Sequence, residues 1–467
     1  MQQEKNGLNV SVRSFLTAII VIAVLMVLTF VLACVIPGGE YVRVLDASGN
    51  LVIDAGAEFH AVEGGLPFWK WLLSPILVLG ADGGGMVAAI LVFLLVIGGV
   101  FNSLEVRGLM KYMLSRLIHR FGQARYQLMA VLVFFFMAMG AFIGSFEECV
   151  PLVPLVVALA IGLGWDAETG LGMSLLACGC GFASGVCNPF TVGVAQELAG
   201  LPMFSGMWLR AVSFVIIYTL LILFLRGHAK KLDRVRGEQV LSNDFVQDAS
   251  MDRGLICFGS IVGAGLILVL CSGFITALQD YTMIIVALMF LLAGIVACLI
   301  SGMKGKELAV SFGKGMTAIL PAVLLILMAS SIKYTLTEAK VLDTLLHTAV
   351  EAVSGQPRWV IILCIYLIVL VMNFFVSSGS AKAFLLMPLI VPMAQLFDIP
   401  AQLCVMAFAF GDGFSNVFYP TNAALLIALG LADMSYGRWV KFSWKFQLPN
   451  LIVTSLLLLF GLAVGYA

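Results

Sequence analysis

The sequence predicts an all-α membrane protein made of two inverted repeats, each carrying a re-entrant hairpin and a broken transmembrane helix. Three observations lead there. Hydrophobic residues fill 61% of the 467 positions and charged residues only 11%, too little polar surface to cover a soluble globule. Apolar runs of about 20 residues, each long enough to span roughly 30 Å of hydrocarbon, recur along nearly the whole chain. Segments of the first half also match segments of the second, residue for residue.

Taken in order, the apolar runs and their breakers place spans near 14–36, 84–104, 170–200, 206–226, 254–275, 283–302, 316–336, 401–431 and 443–466. The first follows a short polar head and lacks an A-x-A cleavage pattern, so it reads as a retained span rather than a signal peptide. Residues 126–164 and 358–397 are double-length apolar segments interrupted at the centre. The interruptions are Gly144-Ser145-Phe146-Glu147-Glu148 and Ser377-Ser378-Gly379-Ser380. Two half-length helices meeting at a polar tip make a re-entrant hairpin, whose irregular backbone is tolerated only where it lines a cavity. The expected division is a first repeat over 1–230, a cytoplasmic linker over 231–253 and a second repeat over 254–467.

The repeat is visible in particular residues. AGLPMFSGMWLR, ending at Arg210, matches LGLADMSYGRWVK, ending at Lys441, at a shift of 231: Met203 with Met434, Gly206 with Gly437, Trp208 with Trp439. Pro189 meets Pro420 at the same shift, Pro154 meets Pro388 at 234, and Leu104 meets Leu336 at 232. Charge supports the layout. With the double segments treated as hairpins, 19 of the 26 Lys and Arg residues fall on one side, which the positive-inside rule assigns to the cytoplasm together with the N-terminus. The acidic stretch from Glu40 to Glu63 then lies outside, Arg210 is among the outer charges, and the two hairpins enter from opposite faces.

Four helix interruptions converge in such an architecture. The two hairpin tips are joined by GFASGVCNPFT, from Gly181 to Thr191, and GDGFSNVFYPTN, from Gly411 to Asn422. Pro189 and Pro420 each remove an amide donor and clash with the preceding turn, so both helices should unwind. Freed amides at half-helix N-termini suit carboxylates, and freed carbonyls at C-termini suit cations. Ser184, Asn188, Thr191, Ser415, Asn416, Thr421 and Asn422 add neutral donors and acceptors able to replace a solute's hydration shell. Any one of them alone reads better as a helix-helix hydrogen bond; their recurrence in both repeats points to a binding site. Ser145, Ser377, Ser378 and Ser380 at the tips join them, with Gly144 and Gly379 as breakers.

Charges at this depth cost about 2.5–3.5 kcal/mol each even on insertion-based scales. Glu147, Glu148, Asp412 and Lys382 all fall at tips or breaks. An ion pair between Lys382 and one carboxylate accounts for one acid; the remaining excess suggests a cation site, a proton-binding carboxylate or a counter-charge for an ammonium group. The Lys382 charge in turn favours an anionic group. Arg107, Lys111, Arg116 and Arg120 read as a solvated cytoplasmic face, and the four His as surface residues.

The segments GSFEECVPLVPL, GFASGVCNPFTVGVAQ, VSSGSAKAFLLMPL and AFGDGFSNVFYPTNAALL resemble the YfcC group of the DcuC-like anaerobic dicarboxylate-carrier family, within the ion-transporter superfamily of elevator-type carriers. The resemblance runs over nearly the whole chain. It implies a secondary active transporter or exchanger of the inner membrane, homodimeric through scaffold helices, moving a small carboxylate metabolite with Na+ or H+ as coupling ion and no other cofactor. A basic amino acid antiporter of the arginine/ornithine type is the alternative. Glu147 and Glu148 match the paired acids of the group's first tip and Asn188-Pro189 its first break. Asp412, Ser415, Tyr419, Pro420 and Thr421 match the second break. Lys382 departs from the neutral polar residue usual at the second tip.

Other classes fit less well. Zero net charge and no basic patch interleaved with aromatics argue against a nucleic-acid partner. Cys178, Cys180 and Cys187 have no nearby His to complete a zinc pattern, so no metal site is expected. No H-E-x-x-H occurs, and Ala409-Phe410-Gly411-Asp412 lacks the first glycine of an intramembrane aspartyl protease motif, so an enzyme is not expected. An ion channel is the less favoured reading of the polar breaks.

Overall fold

The computed structural model describes residues 12–45, 51–53, 58–81, 84–121, 124–144, 146–202, 204–236, 247–272, 282–353 and 356–466. Ser145, and the side chains of Glu148 and Pro189, lie outside the described residues. The chain is helical nearly throughout. It opens with α1 (Val12–Val35), then four short strands, β1 (Gly39–Tyr41), β2 (Arg43–Leu45), β3 (Leu51–Ile53) and β4 (Phe59–Ala61). These form two antiparallel pairs, β1 with β4 (Gly39 opposite Ala61) and β2 with β3 (Arg43 opposite Ile53).

Next come α2 (Phe68–Leu77), α3 (Gly84–Arg107), α4 (Leu109–Phe121), α5 (Arg125–Ala138) and α6 (Val153–Gly162). The first broken helix is α7 (Ala167–Leu171), a wide turn, α8 (Ala177–Ser184) and, past the break, α9 (Val194–Leu198). α10 (Met207–Arg236) completes the first half. The second half holds α11 (Ala249–Ser272), α12 (Thr282–Ile300), α13 (Gly305–Ala318), α14 (Leu320–Glu338) and α15 (Leu342–Val353). It continues with α16 (Arg358–Phe375), α17 (Gly379–Leu396), α18 (Ala401–Asn416), α19 (Ala423–Leu431) and α20 (Tyr436–Ala463).

Both expected helix breaks are present: α8 stops at Gly185 and α18 at Val417. The two double-length segments are each a helix, a non-helical tip and a second helix. The arms of the second segment exceed the expected half-length. α16 and α17 have 18 residues each, about 27 Å at 1.5 Å per residue. Five described helices are long and apolar enough to cross a membrane, including Arg125–Phe142 and Arg358–Phe375.

The helices sort into two packing groups. α11, α12, α3 and α13 pack in series, and α14 packs on α1 and α2. The tips and broken helices pack mainly on one another: α16 on α18, α18 on α8, α8 on α5, and α17 on α9. The crossing of α8 with α18 requires glycine at Gly413, since a Cβ there would collide with the Ala183 backbone. Fully buried Phe408, Phe410 and Phe414 of α18 fill the space around it.

Polar braces join the halves. Arg438 of α20 grips Glu168 of α7, with Nη2 2.7 Å from Oε2. Arg210 of α10 reaches Gln402 of α18, with Nη1 3.3 Å from Oε1. Arg210, counted among the outer charges, is fully buried: it also donates to the carbonyls of Ser205 and Val186 and to the Tyr466 hydroxyl. The His expectation also needs correction. His347 stacks on Phe59 at 4.1 Å and hydrogen-bonds Tyr41, and His228 hydrogen-bonds Asp166 at 2.9 Å, so both are only partly exposed.

Candidate functional site: two tips on two breaks

The first tip is made by local geometry. A wide helical turn over Met139–Ile143 ends at Gly144, whose φ of 78° lies in the left-handed region that favours glycine. Gly144 sits directly on Asn188 of the first break, where a Cβ would strike the amide oxygen. Asn188 is fully buried, and its Oδ1 accepts the Thr191 amide at 3.3 Å, shaping the chain after the break. Ser184 hydrogen-bonds the Cys180 carbonyl within its own helix at 2.8 Å, so its hydroxyl serves the helix end.

The second tip sits on both breaks at once. A Cβ on Gly379 would lie 2.7 Å from Asp412 Oδ2 and would also strike the Thr191 methyl. Asp412 and Thr191, from different halves, therefore flank the same glycine. Among the described residues, buried Asp412 Oδ2, Thr191 Oγ1 and Thr421 Oγ1 have no hydrogen-bond partner. Of these, Asp412 Oδ2 faces Gly379, and a buried acceptor left unpaired costs folding energy unless something else completes it. Glu147 is half-buried at the first tip, within electrostatic reach of Asp412. Among the described residues no basic side chain stands within ion-pair distance of Glu147.

Asp412 Oδ1 is fully engaged. Lys382 Nζ donates to it at 2.7 Å, and neither side chain is exposed. The ammonium also donates to Asn373 Oδ1 and to the Val376 carbonyl at 3.4 Å. Asn373 is the hub that sequence reasoning missed. Its Nδ2 lies 2.6 Å from Ser415 Oγ, 2.9 Å from Asn416 Oδ1 and 3.2 Å from the Asp412 carbonyl. Asn416 donates to Asp412 Oδ1 at 3.3 Å, and Asn422 donates to Asn416 at 3.1 Å while capping α19 through the Leu425 amide. A lone Asn in the apolar run VLVMNFFV was the available signal.

The structure thus brings together Asp412, Lys382, Ser415, Asn416 and Asn422 in one network. Gly379 lies against Asp412 with Thr191 beside it, and Gly144 packs on Asn188. Ser378 is exposed and Ser377 and Ser380 are half-buried at the second tip, with no side-chain cap on the first amides of α17. Thr421 and the backbone of Pro420 follow the second break. Cys178 Sγ lies 3.2 Å from Cys149 Sγ within the packing of α8.

Comparison with known proteins gives a consistent picture. The profile of the C4-dicarboxylate anaerobic carrier family, DcuC, matches residues 15–463. The chain is 31% identical over 407 residues to the "Putative basic amino acid antiporter YfcC" of Escherichia coli (strain K12), covering 82% of this chain and 79% of that protein. It is 26% identical over 388 residues to an uncharacterized protein of Haemophilus influenzae, covering 79% and 74% of the two chains. Among solved structures, the Alcanivorax borkumensis YdaH transporter aligns with 97% of this chain and 98% of its own, at a TM-score of 0.44 and 19% identity. Neisseria gonorrhoeae MtrF, described as one of a class of antimetabolite efflux pumps, aligns with 94% of each chain at a TM-score of 0.43 and 18% identity.

Proposed function

The chain belongs to the C4-dicarboxylate anaerobic carrier family, and from that premise we propose that it exchanges a basic amino acid across the inner membrane. It is a multi-pass membrane transporter, not an enzyme. In this reading the two halves are inverted repeats and the helix-tip-helix units are re-entrant hairpins. The tips, α8 and α18 form a transport unit that moves against a scaffold of α3, α11, α12 and α13, elevator-fashion, with the N-terminus cytoplasmic. Their separate packing supports this division.

One observation carries the substrate class: Asp412 Oδ2 is buried, without a donor among the described residues, and turned to the tip glycine Gly379. A carboxylate oxygen without a donor fits an ammonium or guanidinium group. Glu147, with no basic side chain in ion-pair distance among the described residues, adds to that preference. The substrate's own carboxylate fits the uncapped amides at the start of α17. Lys382 is spent on Asp412 and Asn373, so it is not the anion receptor that its charge first suggested. The name given to YfcC points the same way.

A second reading, a C4-dicarboxylate, follows the family description. It must place two more negative charges beside Asp412 and Glu147, and so requires cations to enter with it. Counterflow in proteoliposomes separates the readings. Saturable exchange of basic amino acids, accelerated by unlabelled amino acid on the far side, supports the first. Exchange of dicarboxylates alone supports the second. Passive, non-saturating flux of either would refute a carrier and leave a channel.

A further inference from the structure

We propose that the Lys382 ammonium is a tethered stand-in for a bound alkali cation, filling from within a site that would otherwise take sodium. The inference deepens the carrier reading by specifying how one of its tips is neutralised. Its test reads ion binding, so it stands or falls apart from transport.

The atoms around Nζ are those of a monovalent-cation site. They are a carboxylate oxygen, Asp412 Oδ1; an amide oxygen, Asn373 Oδ1; and a main-chain carbonyl, Val376 O. All are oxygens, all come from non-adjacent positions, and Lys382 is fully buried among them. Val376 is the C-cap of α16, so its carbonyl points out of a helix end where the dipole is negative and the last carbonyls lack helical partners. Such helix C-termini are where coupling cations are bound in carriers with broken helices. The ammonium supplies the same charge with three donors for three oxygens.

The remaining geometry agrees. Asn373 Nδ2 is committed to Ser415 Oγ and Asn416 Oδ1, which turns its oxygen toward the ammonium. Asp412 keeps its second oxygen unpartnered, so an ion at Oδ1 and a further ligand at Oδ2 can be held at once. The internal repeat sharpens the point. At the shift of 234 that pairs Pro154 with Pro388, Lys382 stands opposite Glu148. The first tip carries acid where the second carries base, so only the second brings its own cation. The second tip is then neutral without sodium in every state of the carrier.

The test uses full-length protein in detergent, with choline chloride as the inert salt. Binding of radioactive sodium by wild type sets the baseline. Lys382→Ala, which empties the position and leaves its oxygens, is expected to gain saturable binding approaching one ion per chain. Potassium should compete with it, and sodium should raise its melting temperature. The double variant Lys382→Ala/Asp412→Asn should lose the gain. Lys382→Ala that folds and binds no more sodium than wild type would overturn the proposal, as would binding that survives in the double variant. Should Lys382→Ala fold poorly, recovery of monodisperse protein in sodium but not in choline supports the proposal. Equal failure in both salts overturns it.

Discussion

The buried pair Lys382–Asp412 makes a quantitative prediction about stability. Asp412→Asn keeps the shape of the side chain and removes its charge, stranding an ammonium that has no exposure to solvent. Two unit charges 2.7 Å apart attract by about 6 kcal/mol at an effective dielectric constant of about 20. Desolvation offsets much of that, and breaking one side of such a pair typically costs about 3–5 kcal/mol. Here Asn373 Oδ1 and the Val376 carbonyl remain as acceptors, so the low end, about 3 kcal/mol, is expected. The double variant Lys382→Met/Asp412→Asn removes both charges and should recover most of the loss. The measurement is a double-mutant cycle of unfolding free energies in choline salts, adding Lys382→Met alone. A coupling energy of at least about 3 kcal/mol is expected; below about 1 kcal/mol, the ammonium and carboxylate do not act as a pair.

Four further outcomes follow from other parts of the molecule. Gly413→Leu should abolish folded protein, because even a Cβ meets the Ala183 backbone where α8 crosses α18; normal yield and melting behaviour would contradict that packing. Burial acts to raise the Asp166 carboxyl, but hydrogen bonds from His228 and Thr169 outweigh it and hold the pKa at about 2. Its contribution, about 1 kcal/mol after solvent screening, should be fully present above pH 4 and fade as pH falls through 2, read as a shrinking stability gap between wild type and Asp166→Asn. Glu147→Gln should slow gradient-driven uptake at least tenfold while leaving counterflow within about twofold, since exchange needs no net ion movement; equal loss of both would make Glu147 a structural residue. Asp166→Cys and Asp398→Cys should be labelled from the cytoplasmic and outer faces respectively, and labelling of both from one face would remove the inverted topology.

Much of this arrangement is legible in the sequence because its signals are local. Pro189 and Pro420, each among Gly, Ser and Asn inside an apolar run, mark the two breaks through their own backbone chemistry. Gly144 and Gly379 mark the tips similarly. What escaped is what depends on partners far along the chain. Arg210 looks like a helix-end charge, yet its partner Gln402 is 192 residues away. The strands over 39–61 are three residues each, too short for a period of two to register. Asn373 is one polar residue in an apolar helix, and its importance appears only when Lys382, Ser415 and Asn416 close around it. Lys382 itself shows the limit most clearly. Counting charges correctly left an excess of acids, but the count is indifferent to which acid the lysine takes. The fold assigns it to Asp412 Oδ1, which leaves Oδ2 as an acceptor without a donor and Glu147 without a basic partner among the described residues. A site first balanced between anion and cation thereby becomes one that asks for a donor.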